Sequence, residues 1–135
     1  MNEAREKGLH LFTEIYGRDM GEGIAGVVDK EEGFGPLQAT WTLDWAFGSV
    51  WCRDSLERKM RSCAVLGMLI GQGQGEEIYM HTKMGLANGL TRKELEEIFY
   101  TAIPYCGFPA ANTAKAAMLR AFAELDGEPD SNGPD

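Results

Sequence analysis

Leu90-Thr91-Arg92-Lys93-Glu94-Leu95 is the most explicit helix start in this chain, and it decides the fold class. Thr91 and Glu94 stand three apart, the spacing at which each side chain caps the other's backbone N–H. Leu90 and Leu95 sit where a hydrophobic staple closes around that box. Beyond it, Leu95, Ile98, Phe99, Ala102, Ile103 and Cys106 recur with helical period. Pro104 falls inside the pattern, removes the backbone bond to Tyr100 and predicts a kink. Gly107-Phe108-Pro109 ends the segment, and Pro109 fits the first position of an alanine-rich last helix reaching about residue 125.

Outward toward the N-terminus the same period holds. Gly89 is placed to close a helix over residues 76–87. Gly71-Gln72-Gly73-Gln74-Gly75 resembles a phosphate loop only loosely, because the Lys-Ser/Thr pair and a preceding strand are missing; it reads as a helix–helix connector. Before it, Cys63 to Ile70 is apolar on all sides, as expected of a helix buried on more than one face, and Asp54 is the expected N-cap. Leu37, Thr40, Trp41, Asp44, Trp45 and Phe47 predict an aromatic-rich helix ending near Gly48, its aromatics read first as core or subunit interface. Gly33-Phe34-Gly35-Pro36 is a turn with Pro36 entering that helix. Residues 19–29 are glycine-rich and read as weakly helical. Residues 3–16 place Leu9, Phe12, Ile15 and Tyr16 on one stripe, with Gly17 as the stop. No stretch alternates with period two. The expectation is an all-α fold, one domain over residues 1–125, followed by an acidic, disordered tail over 126–135.

The chain's 135 residues suffice for one buried core, and its 44% apolar content is that of a globular protein. A net charge of −8 argues against nucleic acid as a partner. Cys52, Cys63 and Cys106 are odd in number and lack any CxxC or zinc spacing, so free thiols in a reducing cytoplasm are expected. The charged N-terminus is not expected to act as a signal peptide, and no apolar run is long enough to span a membrane.

Two features carry chemistry. Glu77 and His81, four apart, share one helix face. On spacing alone they also read as a structural pair worth a few tenths of a kcal/mol. Residues 53–61 hold four of the thirteen basic residues, Arg53, Arg58, Lys59 and Arg61. The three arginines crowd less than three helical turns, and Asp54 and Glu57 are able to balance them structurally. His10 is the only other histidine, so Glu77 and His81 make half a metal site and no metal is expected.

Trp51-x-Arg53-x-x-Leu56-x-Arg58-x-x-Arg61-Ser62, Leu66-x-Met68-Leu69-Ile70, Glu77-x-x-x-His81, Asn88-Gly89-Leu90-Thr91-x-x-Glu94 and Tyr105-Cys106-Gly107-x-Pro109-Ala110-Ala111-Asn112 follow in order. This series resembles the carboxymuconolactone decarboxylase family over about residues 45–122. The resemblance implies an alkylhydroperoxidase D-like helical bundle assembled as a ring, a homo-oligomer of three or six chains. The peroxidase branch of that superfamily carries a CxxC three residues before its histidine; Gln74 and Glu77 occupy the aligned positions here, so the decarboxylase branch is the better match.

That branch implies cofactor-independent decarboxylation of 4-carboxymuconolactone to 3-oxoadipate enol-lactone, in the protocatechuate branch of aromatic catabolism (the β-ketoadipate pathway). His81 is expected as the acid, oriented or raised in pKa by Glu77, with Arg53 and Arg61 holding carboxylates and Trp51 walling the pocket. Arg58 and Tyr105 complete the expected substrate-binding set. Pro104, the glycine-rich connector, Trp41 and Trp45 depart from the family pattern. They keep open a same-family decarboxylase or isomerase acting on another carboxylated lactone or polyketide-like acid, and a non-catalytic ligand-binding member.

Overall fold

The computed structural model describes residues 2–127, which divide into two compact units at Arg58/Lys59. In chain order the helices are α1 (Glu3–Tyr16), α2 (Arg18–Lys30), α3 (Leu37–Trp41), α4 (Arg58–Gly71), α5 (Gly75–Ala87), α6 (Arg92–Cys106) and α7 (Phe108–Leu125). Between α3 and α4, Thr42–Trp51 continues the helix with π geometry. The described residues contain no strand, so the protein is all-α.

In the first unit, the Asn2 carboxamide caps α1 by accepting from the Arg5 backbone N–H at 2.6 Å, and Gly17 ends it at φ 99°. α1 then lies backbone-to-backbone against the π segment. A Cβ on Gly8 would stand 1.8 Å from the Leu43 carbonyl oxygen, and one on Gly48 would stand 2.1 Å from that of Ala4. Gly48 is therefore a packing residue, not a helix terminator, and the helix expected to end there runs on to Trp51. Its wider turn shows in Cys52 N–H donating to the Phe47 carbonyl, five residues back, at 3.1 Å. Phe12 meets the Phe47 ring edge-on at 5.3 Å between centroids, and Trp51 stacks on Phe47 at 6.2 Å. Arg5 closes the contact with a two-pronged ion pair to Asp44.

Residues 19–29, expected to be weakly helical, form the body of α2. A Cβ on Gly21 would meet Thr13 Oγ1 at 2.1 Å, so this glycine lets α2 lie close on α1. Packing overrides the propensity cost of a helical glycine, about 1 kcal/mol. The expected role of Asp54 also fails, because α4 begins only at Arg58 and residues 52–57 form turns and irregular backbone. Arg53, Asp54, Ser55 and Glu57 are all exposed and give that stretch little apolar surface to bury as a helix.

The second unit buries Leu66 and Ile70 of α4, Ile78 of α5, Leu95 of α6 and Ala111, Ala114 and Ala121 of α7 without residual exposure. The alanines recur at three- and seven-residue intervals, so α7 presents a smooth face to α5 and α6. Thr91 and Glu94 form the anticipated capping box, both bonds at 3.0 Å. Gly89, at φ 105°, follows the C-cap Asn88 and turns the chain so that Leu90 N–H reaches the Gly85 carbonyl at 2.9 Å. α6 runs through Pro104 to Cys106, and Pro109 falls in the first turn of α7. At its end Asp126 accepts two bonds from the Arg92 guanidinium, at 2.9 and 2.6 Å. The rest of the expected disordered tail, residues 128–135, lies outside the described residues. Among the described residues no helix is long and apolar enough to cross a membrane.

Candidate functional site

The residues singled out from sequence fall into both units. In the first, Trp51, Arg53 and Arg58 line one cavity of about 500 Å³. Its opposite wall is α1, which contributes Lys7, His10 and Glu14 at helical spacing. Arg58 Nη2 donates to Glu14 Oε1 at 3.1 Å, and His10 Nε2 lies 3.9 Å from the other oxygen of the same carboxylate. Trp51 is buried and stacked, so it forms a rigid wall. Arg53 stands on the turn after the π segment, and Arg58 and Arg61 fall in the first turns of α4. The cavity also carries the carboxylates of Asp54 and Glu57, so any anion entering it has to compete with internal partners.

In the second unit α5 carries Glu77 and His81. His81 keeps 18% of its side chain exposed and Glu77 keeps 60%, with Nε2 and Oε2 3.9 Å apart. That distance gives attraction without a hydrogen bond. Burial pushes the His81 pKa below the ordinary histidine value, and the nearby Glu77 charge only partly opposes it. The expected rise from Glu77 is thus present as a contribution and outweighed by desolvation. His81 Nδ1 and Arg61 Nε of α4 are both shielded from solvent.

Side chains to which sequence reasoning gave no role fix these helices. Ser62, wholly buried next to Arg61, accepts a bond from Asn88 Nδ2 at the end of α5, at 3.0 Å. The link ties the helix bearing Arg61 to the helix bearing His81. The sequence signal was a serine at the edge of an apolar run, where a hydroxyl needs a partner. Elsewhere on α5, the buried Tyr79 ring lies under the Arg120 guanidinium at 3.9 Å, while Arg120 also binds Glu76 at 2.7 Å and Lys83 binds Glu124 at 3.0 Å. These contacts hold α5 against α7.

Residues 36–120 match the carboxymuconolactone decarboxylase family. The chain belongs to that family. It is 28% identical to the 4-carboxymuconolactone decarboxylase of Acinetobacter baylyi over 131 residues, 96% of this chain and 95% of the relative. It is 37% identical to the nitrosuccinic acid decarboxylase npaB of Metarhizium robertsii over 82 residues, 61% of this chain and 57% of that protein. A 15.0 kDa protein of Paracoccus denitrificans is 30% identical over 88 residues, 64% of this chain and 66% of its own.

Within this family member, Tyr105 stands apart from the other singled-out residues. It is exposed on α6 and lines a separate hollow with Cys63 and Cys106, whose walls include neither Glu77 nor His81. All three cysteines are free thiols. Among the described residues no three His, Cys, Asp or Glu side chains group as metal ligands.

Proposed function

We propose that this protein is a decarboxylase acting without an added cofactor on a small acid with two carboxylates, 4-carboxymuconolactone being the substrate of choice. The observation that carries the reading is a largely buried histidine one helical turn from a glutamate, in a chain aligned over nearly its whole length with a 4-carboxymuconolactone decarboxylase. Both relatives named as decarboxylases are named for acids that bear two carboxyl groups.

In such a lactone the carbon that loses CO2 is conjugated through an alkene to the lactone carbonyl. The C–C bond electrons pass into a dienolate, which is protonated at carbon. Arg61 in the second unit is assigned to hold a carboxylate through its guanidinium fork, and Arg53 and Arg58 are proposed as the anion-binding side chains of the first unit's own cavity. Trp51 is assigned as the apolar wall of that first-unit cavity, lowering the dielectric around an anion bound there. At rest, His81 with its depressed pKa is a neutral imidazole able to donate one N–H to the lactone oxygen. A bound dianion raises the imidazole's proton affinity, and the resulting imidazolium protonates the dienolate carbon. Glu77 contributes charge to that step. The same roles serve the alternative, another carboxylated lactone or polyketide-like acid in a same-family reaction. A ring-shaped homo-oligomer of three or six chains is proposed with this reading, and the exposed Trp41 and Trp45 are assigned to contacts between copies.

The test is CO2 release and absorbance change on mixing the protein with 4-carboxymuconolactone, beside His81→Ala. Turnover that drops by about 10²–10³ in the variant is the expected result. A folded wild type that releases no CO2 from this or a related dicarboxylate ends the decarboxylase reading.

A further inference from the structure

The hollow between α4 and α6 lies within the second unit and measures about 420 Å³, within the usual range of small-molecule sites, about 300–1,000 Å³. α4 contributes Cys63, Gly67 and Ile70 on one helical face, and α6 answers with Ile98, Ala102 and Tyr105. The two smallest residues, Gly67 and Ala102, belong to opposite walls, and larger side chains lie on either side of each in sequence. A Cβ built on Gly67 meets no atom within 4 Å, so no packing contact requires glycine here. A glycine inside a helix is unfavourable relative to alanine, and the exposed Gly67 leaves this open-sided hollow room along α4. The space is wide enough for a ring, since apolar cavities of about 150 Å³ already hold benzene.

The lining defines the ligand's chemistry. The Thr101 hydroxyl donates to the Glu97 backbone carbonyl at 2.7 Å, spending its polarity on its own helix. No cation lines the hollow, and its only charged wall residue is the exposed carboxylate of Glu97. Lys59 and Lys93 belong to the neighbouring hollow, where Lys59 is held by Glu94 at 2.9 Å. The Tyr105 phenol and the thiols of Cys63 and Cys106 remain as weak polar contacts. We propose that the α4/α6 hollow is a binding site for an uncharged monocyclic or bicyclic aromatic molecule, separate from the residues assigned to carboxylate chemistry. It stands whether or not the decarboxylase reading holds.

The thiols provide the assay. Cys63 and Cys106 line the hollow and exposed Cys52 does not, so one alkylation experiment on the full chain carries its own control. Indole and phenol serve as uncharged probes and benzoate as the anionic one. Indole or phenol is expected to slow alkylation of Cys63 and Cys106 at least tenfold while leaving Cys52 unchanged, and benzoate to protect neither. Gly67→Leu, which fills the open space, is expected to abolish probe binding by calorimetry without lowering the melting temperature. The thiol readout on the wild type decides the matter if that variant fails to fold. Absence of protection by both uncharged probes overturns the proposal. So does equal protection by benzoate, or protection that rises with protein concentration alone, which assigns the hollow to a second copy of the chain.

Discussion

The two units are held together by different means. In the first, α1 and the π segment touch through backbone at Gly8 and Gly48, with an aromatic cluster and the Arg5–Asp44 pair around the crossing. In the second, aliphatic side chains and an alanine ladder fill the space between regular helices whose ends are capped by near neighbours. The first relies on contacts about forty residues apart in sequence, and the second adds strong signals within a few residues. Local signals are what a sequence displays, so α1, α6 and α7 were readable almost to the residue, whereas the π segment and the start of α4 were not.

The sharpest way to break this contrast is Gly48→Val. A side chain there has only the Ala4 and Leu43 carbonyls to move against, and the expected loss is about 3 kcal/mol or more in urea unfolding. A loss under 1 kcal/mol means the crossing is loose and the contrast false. Arg53→Lys comes next. If the turn-borne arginine holds a carboxylate with both prongs, its replacement by a single ammonium lowers kcat/KM about tenfold to a hundredfold, mostly through KM. An unchanged KM removes Arg53 from substrate binding.

Thr91→Ala tests the local side of the comparison. The capping box predicts a loss of about 1 kcal/mol, read as a shift in the urea midpoint without a change in slope. The smallest effect is one of pH. The folded His81 pKa lies below its unfolded value of about 6.5, so the unfolded chain binds more protons in that window. Stability is therefore fully present above pH 6.5 and falls as pH drops from there toward the folded pKa. Urea midpoints at pH 7.5 and 5.5 should differ in the wild type and differ less in His81→Gln. An equal slope in both proteins places the responsible group elsewhere.

The site was legible in the same uneven way. Glu77 and His81 sit on a regular helix, where four residues fix one turn, and their juxtaposition followed from spacing. What spacing did not carry was depth. Burial, not Glu77, sets the direction of the His81 pKa, and burial depends on how the surrounding helices pack. The helix bearing Arg58 and Arg61 was expected to start at Asp54, yet the chain leaves the helix at Cys52 and regains it only at Arg58. Lys7 and His10 were invisible as wall residues because only the fold of α1 against residues 51–58 brings them there. The glycines of residues 19–29 were read as weakening a helix and Gly48 as the end of one, whereas Gly21 and Gly48 are the small residues that close helix crossings demand.

The π segment also gives the protein an optical gauge. Of the protein's three indoles, Trp51 at the end of this segment is buried against Phe47, while Trp45 within it and Trp41 just before it keep 69% and 59% of their surface in solvent. Collisional quenchers therefore reach two emitters and spare the third, which divides the steady-state fluorescence into a surface signal and an interior one. Association of copies through Trp41 and Trp45 shields the surface fraction and shifts it to shorter wavelength, whereas opening of the α1 crossing exposes the interior fraction and shifts it the other way. Assembly and unfolding are thus separable by emission alone, with no label attached.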